Sequence, residues 1–294
     1  MFRMQIQSKK KCIWYCSAAV SFLLFLLLNL WCDHLVNMQD AQQMAGRWSE
    51  KKDVAQISCF FSSKAEVTED TIQSFEYSLK NVLQEASITE TSENPGARLW
   101  VDAYSADGKI TLVNGRNTLD ANAIGIGGDF FLFHPLKLIT GSYFSGNDLM
   151  QDYCIIDQDA AWQLFGSNDV VGMTVYIGNV PHIVTGVVRR PQGRMEKAAG
   201  LTSTVVYVSY ETLETYGTSN GINHYEIVMP NPVDEFAYGK VKEGIGIDEK
   251  NVEIVENSRR YSLPNRIKAI LAFGTRSMNG KAIIYPYWEN LARG

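Results

Sequence analysis

Residues 135–193 read PLKLITGSYFSGNDLMQDYCIIDQDAAWQLFGSNDVVGMTVYIGNVPHIVTGVVRRPQG. Short apolar bursts are separated by glycine, asparagine and proline, which is the grain of a β-rich region. Cys154 to Asp157 reads as a strand. Asp157 then caps a short helix running to Phe165, because its carboxylate can accept the free N–H groups of the first turn, and Gly166 ends that helix. Thr174 to Ile177 and Val180 to Val188 flank Gly178-Asn179, so the spacing predicts a hairpin with a type II′ turn. Arg189 to Gly200 is charged, carries Pro191 and Gly193, and reads as a loop.

Towards the N-terminus, Ala121 to Ile126 reads as a strand broken by Gly127-Gly128. Arg98 to Tyr104 alternates as a half-buried strand, Asp107-Gly108 signals a tight turn, and Ile110 to Val113 fits its return strand. Val54 to Phe61 is a further strand. A helix is expected from about Thr68 to Gln84, with Ile72, Phe75, Leu79, Val82 and Leu83 on one face and Thr68 as N-cap. Towards the C-terminus, Val205 to Tyr210, Tyr225 to Met229 and Val252 to Val255 read as strands. Asp234 to Glu243 reads as a helix with Phe236 on its buried side. Pro264 to Met278 reads as another, started by Ser262, with Ile267, Ile270 and Leu271 on one face.

Strand-helix-strand thus occurs near both ends, with a β-rich stretch between. The expected fold class is α+β: a split α/β subdomain of βαβ type (54–120 and 204–290) with an inserted β-rich subdomain (121–203).

Ahead of this body, Cys12 to Cys32 contains no charged side chain, while Arg3, Lys9, Lys10 and Lys11 precede it without an acid. About 20 apolar residues in a helix cross a hydrocarbon core of about 30 Å, and cations stay on the cytoplasmic side. The reading is a cytoplasmic N-terminus (1–11), a transmembrane helix (12–32) and a helical stalk (33–53), with the bulk of the chain extracytoplasmic. A cleaved signal peptide or a lipidated Cys32 needs a small residue where Trp31 stands.

The formal net charge is −5, and the first eleven residues carry +4, leaving −9 for the remainder. An acidic body of this kind has no attraction for nucleic acid or anionic headgroups. Apolar residues make up 46%, enough for a packed core. Of five cysteines, only Cys59 and Cys154 lie beyond the apolar segment. They read as buried apolar thiols, a disulfide being the alternative in an oxidising compartment.

The sequence offers no catalytic, cofactor-binding or metal-ligating constellation. His34, His134, His182 and His224 are scattered and fit no zinc spacing. Gly274 to Lys281 (GTRSMNGK) has the wrong spacing for a phosphate-binding loop, and Ala282 stands where Ser or Thr must bind magnesium. Gly125-Ile126-Gly127-Gly128 reads as a turn rather than a dinucleotide fingerprint. Asp148, Asp152, Asp157 and Asp159 begin no complete calcium loop and read as a helix cap with solvated surface.

The opening segment nevertheless carries a family resemblance. Gly141 to Phe144, then Leu164-Phe165-Gly166, then Val171-Gly172, then Val184 to Val187 around Gly186 resemble, in order and spacing, the periplasmic core domain of MacB-like, FtsX-superfamily ABC transporter permeases. The resemblance implies structural motif positions at Gly141, Phe144, Leu164, Phe165, Gly166, Gly172 and Gly186, and no enzymatic role for this chain. It also implies a cytoplasmic ABC ATPase and further permease helices as partners, dimeric assembly, a place in the cytoplasmic membrane, and coupling of the ATPase to export or to an extracytoplasmic partner by mechanotransmission. The family's later membrane helices are missing from this chain, and 283–290 looks like the segment leading into the second span. A stand-alone membrane-anchored binding or adaptor protein is the alternative, and an anchored surface enzyme a third reading.

Overall fold

The computed structural model describes residues 2–49, 53–89, 97–272 and 281–293. Its helices are α1 (Phe2–Asn37), α2 (Met44–Trp48), α3 (Glu69–Glu85), α4 (Phe130–Phe133), α5 (Gln158–Phe165), α6 (Arg194–Ala198), α7 (Tyr210–Tyr216), α8 (Phe236–Gly244), α9 (Asn257–Arg260), α10 (Leu263–Leu271) and α11 (Tyr287–Arg293). Its strands are β1 (Val54–Phe61), β2 (Val101–Asn114), β3 (Asn117–Gly128), β4 (Lys137–Gly141), β5 (Tyr153–Asp157), β6 (Thr174–Ile177), β7 (Val180–Arg189), β8 (Val205–Ser209), β9 (Thr218–Ser219), β10 (His224–Pro230) and β11 (Val252–Glu256).

Two compact units result, Met1–Gln39 and Asp40–Gly294. In the first, Ile13–Asn37 is a helical stretch of 25 residues long and apolar enough to cross a membrane. In the second, all eleven strands belong to one mixed sheet ordered β11-β1-β10-β2-β3-β8-β5-β7-β4, with β6 paired to β2 and β7 and β9 paired to β2. β3 pairs parallel to β8, and β5 parallel to β7. The fold is therefore a mixed α and β structure with an apolar N-terminal helix and a large sheet. The subdomain boundary expected at 120/121 falls inside β3, and the sheet continues across it.

Strand alternation sorts side chains onto two faces. On one, Ile57, Cys59 and Phe61 of β1 join Tyr225 and Ile227 of β10 and the apolar stripe Ile72, Phe75, Leu79 and Leu83 of α3. The stripe's spacing is that of one helix face, and Thr68 caps the helix through a reciprocal box with Thr71. On the other, Val101, Ala103, Val228, Tyr207 and Val205 meet Met44, Phe130, Phe133 and Trp288.

Several expectations are corrected. The helix does not run on as a stalk to residue 53: α1 ends at Asn37, and a 3-10 turn at Asp40–Gln42 and α2 follow. Nothing in residues 34–49 signals that stop, because the cause is tertiary. Gln56 Oε1 accepts the Met44 N–H at 2.9 Å, and Gln56 Nε2 donates to the Ala41 carbonyl at 2.7 Å. Arg47 reaches the Leu132 carbonyl at 2.7 Å.

Asp107-Gly108 is not a turn, since β2 runs straight through it with Asp107 opposite Ile124 and Gly108 opposite Ala123 and Ser219; the chain reverses at Gly115-Arg116 instead. Gly125 to Gly127 stay within β3. The turn at Gly178-Asn179 has φ of +55° and +68°, the two positive values of type I′ rather than II′. Arg189 to Gly200 contains α6, and the strand expected to reach Tyr210 gives way to α7, capped by Ser209. The last long helix, α10, stops at Leu271, with Ile267, Ile270 and Leu271 exposed. The expected turns of that helix beyond 272 lie outside the described residues, as does most of the Gly274 to Lys281 stretch. Cys59 and Cys154 are buried free thiols.

Candidate functional site

β1 breaks its own apolar pattern. Gln56 and Ser58 share one face of a strand otherwise made of Val, Ala, Ile, Cys and Phe. On neighbouring β10, His224 and Glu226 are two residues apart and share the same face, with Ser58 directly opposite Glu226 and Phe60 opposite His224. Across the next ladder, Ser105 of β2 lies opposite His224. The residue after α4, His134, completes a buried polar cluster. The side chains of His134, His224 and Glu226 are 4%, 1% and 2% exposed, so they are shielded from bulk solvent.

The two carboxylate oxygens of Glu226 have different surroundings. Oε2 accepts from Ser58 Oγ at 3.2 Å and Gln56 Nε2 at 3.3 Å, and Asn257 Nδ2 donates to Ser58 Oγ at 2.8 Å. Oε1 is in ion-pair contact with His134 Nε2 and stands 3.9 Å from His224 Nε2. Among the described residues, His224 Nε2 is left without a hydrogen-bond partner. Burial pushes the Glu226 carboxyl up, but the imidazoles of His134 and then His224 outweigh it and hold the group below the usual carboxylate range. Burial drives His224 down to about 4, so its ring is neutral near pH 7.

Aromatic rings enclose the cluster. Trp288 of α11 lies over His134 with centroids 4.2 Å apart and reaches His224 at 5.4 Å. Phe60 stacks on His224 at 5.0 Å, and Phe130 packs on His134 at 4.5 Å. α11 is held there by a bidentate pair: Arg260 Nη1 and Nη2 meet the Glu289 oxygens at 2.7 and 2.8 Å. Through Gln56 the cluster also grips the Ala41–Met44 backbone. The segment entering the sheet, the segment leaving it and the loop after α4 therefore meet at one point.

The motif positions sit elsewhere, around β4 and β7. Gly141 has φ +83° and pairs with Gly186, and a Cβ there would collide with the Thr185 carbonyl oxygen. Phe144 is buried edge-on against Phe131 at 5.7 Å. Leu164 is buried, Phe165 half-buried, and Gly166 ends α5 at φ +71° with its N–H on the Trp162 carbonyl. The Gly172 N–H binds the Val184 carbonyl at 2.8 Å, tying the following hairpin to β7. Asp157 accepts from the Ala160 N–H at 2.8 Å and the Val205 N–H at 3.0 Å, and Arg190 bridges it to Asp159. Of the scattered histidines, His182 is held by Thr212 Oγ1 at 3.2 Å and the Val180 carbonyl at 3.0 Å.

Residues 38–255 match the MacB-like periplasmic core domain. The chain belongs to that family. Over 116 residues it is 31% identical to the macrolide export ATP-binding/permease protein MacB of Pasteurella multocida (strain Pm70), which is 39% of this chain and 18% of that protein. The chain thus spans less than a fifth of that relative's length. Among solved structures, the extracellular domain of the noncanonic ABC-type transporter YknZ from Gram-positive bacteria aligns with a TM-score of 0.45 and 18% identity, covering 68% of this chain and 99% of that one. The periplasmic region of MacB from Actinobacillus actinomycetemcomitans aligns at 0.44 and 20%, covering 72% and 92%. As a MacB-like periplasmic core domain, the chain is of the ABC transporter permease class.

The histidine–glutamate cluster was missed because its members come from residues 56–58, 105, 134, 224–226 and 288. The available signals were the two polar residues on one face of β1 and the His-x-Glu spacing on β10.

Proposed function

We propose that this chain is the membrane-anchored extracytoplasmic core of an ABC transporter permease. α1 would cross the cytoplasmic membrane with residues 1–11 inside and the body outside. A cytoplasmic ABC ATPase and further permease helices would be its partners in a dimeric assembly, homo- or heteromeric. The match over 38–255 directly following an apolar helix that ends at Asn37 carries this reading. The domain performs no bond chemistry. Its task is to turn a displacement of membrane helices into a change outside, moving a substrate of the small-molecule export class named for its relatives or acting on an extracytoplasmic partner.

The geometry supports transmission through fixed contacts rather than a stiff rod. α1 stops at Asn37, and the following residues are clamped to the sheet by Gln56 and Arg47. A displacement delivered to residues 40–48 then acts directly on β1 and the polar cluster, since a hydrogen-bonded and packed element moves with its partners.

Two measurements test the reading. Cysteine placed at exposed Lys64 in intact cells should react with a membrane-impermeant maleimide; reaction only after lysis would refute the orientation. Two glycines inserted after Asn37 should lower ATP-dependent export several-fold while leaving ATPase assembly intact. Undiminished export would make the segment a passive tether.

A further inference from the structure

The polar cluster has a feature that packing does not explain. Three buried donor atoms, His134 Nε2, His224 Nε2 and one carboxylate oxygen of Glu226, all lie within 4.8 Å of one another. His134 Nε2 and Glu226 Oε1 meet each other as an ion pair, while His224 Nε2, 3.9 Å from that oxygen, has no hydrogen-bond partner among the described residues. A buried polar atom without a partner is rare and costly, so His224 Nε2 held beside that ion pair calls for a cause.

We infer that His134, His224 and Glu226 form a binding site for one divalent transition metal of the zinc class.

The donor set is two imidazole nitrogens and a carboxylate oxygen, which suits zinc and its neighbours rather than calcium or magnesium. Donors around one tetrahedral zinc lie about 3.3 Å apart, so binding an ion would draw the wider edges in by up to about 1.5 Å and open the His134–Glu226 pair. The outer contacts are also those a metal site uses. Glu226 Oε2 is fixed by Ser58 and Gln56, and His224 Nδ1 faces Ser105 Oγ at 3.5 Å, which orients Glu226 Oε1 and His224 Nε2 towards His134. The Trp288 indole covers both imidazoles, and its own Nε1 is buried without a partner. A metal-bound water at a fourth position would give the enclosure a polar member for such a donor.

The placement gives the ion a role. His134 comes from the stretch 121–203, His224 and Glu226 from β10, and the covering Trp288 from the departing segment. An ion here staples these three parts, and through Gln56 it also bears on residues 41–44. This inference does not depend on transport, because the ligands are the same whatever the domain moves.

The test uses the full chain purified in detergent without chelators. Elemental analysis should find about one zinc per chain. After chelator treatment, cobalt(II) should restore an intense visible band of tetrahedral coordination without a thiolate charge-transfer band, and zinc should raise the melting temperature by several degrees while calcium and magnesium do not. His134→Gln with His224→Gln should abolish both the band and the zinc-dependent shift, with circular dichroism reporting on folding. Absence of metal, band and shift in the unmodified chain would reduce the cluster to a buried ion pair and overturn the site. A thiolate band, or binding undiminished in the double variant, would place the metal elsewhere and overturn it equally. If the double variant fails to fold, the thiolate-free band and zinc shift of the unmodified chain decide alone.

Discussion

The segment around β4 and β7 and the polar cluster beneath β1 and β10 solve different problems with residues a plain apolar core does not need. Around β4 and β7 the special residues are glycines, each meeting a demand of its own backbone or of a strand beside it. Beneath β1 and β10 they are His, Glu, Gln and Ser, joined across the sheet by contacts such as Gln56 to Glu226 and Ser58 to Asn257, more than a hundred positions apart in each case. The first kind specifies shape through backbone fit alone and buries no charge. The second costs desolvation and is stable only when complete, so it reports whether the entire body is assembled.

The largest effect should come from making the second kind incomplete. Glu226→Ala leaves two imidazoles, Ser58 and Gln56 without their shared partner inside a dry core. Denaturant unfolding of the detergent-solubilised full chain should show a loss of about 3–5 kcal/mol. Replacing His134, His224 and Glu226 together by apolar residues of similar size should recover much of that loss. If the triple variant is no more stable than Glu226→Ala, the cost lies in shape rather than in unpaired polarity, and the contrast fails.

Next is Gly141→Ala. Its Cβ would meet the Thr185 carbonyl and the Gly186 Cα, both backbone atoms, at φ +83°. Backbone cannot step aside as a flexible side chain does, so about 3 kcal/mol should be lost. Gly166→Ala separates the two causes. It has a similar φ of +71° but open space around the new methyl, so only the left-handed penalty of about 1 kcal/mol remains. Equal losses at the two positions would show that contact across β4 and β7 contributes nothing.

The same contrast governs what could be read from sequence. β1 was legible end to end, and α3 and α5 nearly so, because periodicity and caps are local. Thr68, Asp157 and Gly166 do in the structure what their residue types imply. Asp107-Gly108 misled because its turn signal is overruled by pairing with β3 and β9, partners 15 or more positions away. The stalk misled for the same reason: residues 34–49 lack any stop signal, and Gln56 imposes one from outside. The cluster was invisible because a histidine in a loop and a His-x-Glu on a strand say nothing until the sheet order is known.

The smallest effect sharpens the comparison through pH, because the two faces of the sheet oppose each other. On the α3 face, burial and then the neighbouring Asp102 raise the Glu76 carboxyl to about 8, while Asp102, raised by burial, accepts the Tyr225 hydroxyl at 3.0 Å. The folded chain therefore keeps a proton at Glu76 that the unfolded chain gives up near 4.5, and stability falls as pH rises from about 4.5 to 8. At the cluster the sign reverses. His224 is lowered from 6.5 to about 4, so the unfolded chain binds the extra proton and stability falls as pH drops through that interval. Glu76→Gln should flatten the alkaline limb of the melting temperature against pH and leave the acid limb unchanged. His224→Gln should do the opposite. A Glu76→Gln profile that shifts uniformly at every pH would mean that the side chain matters there for packing rather than for its proton.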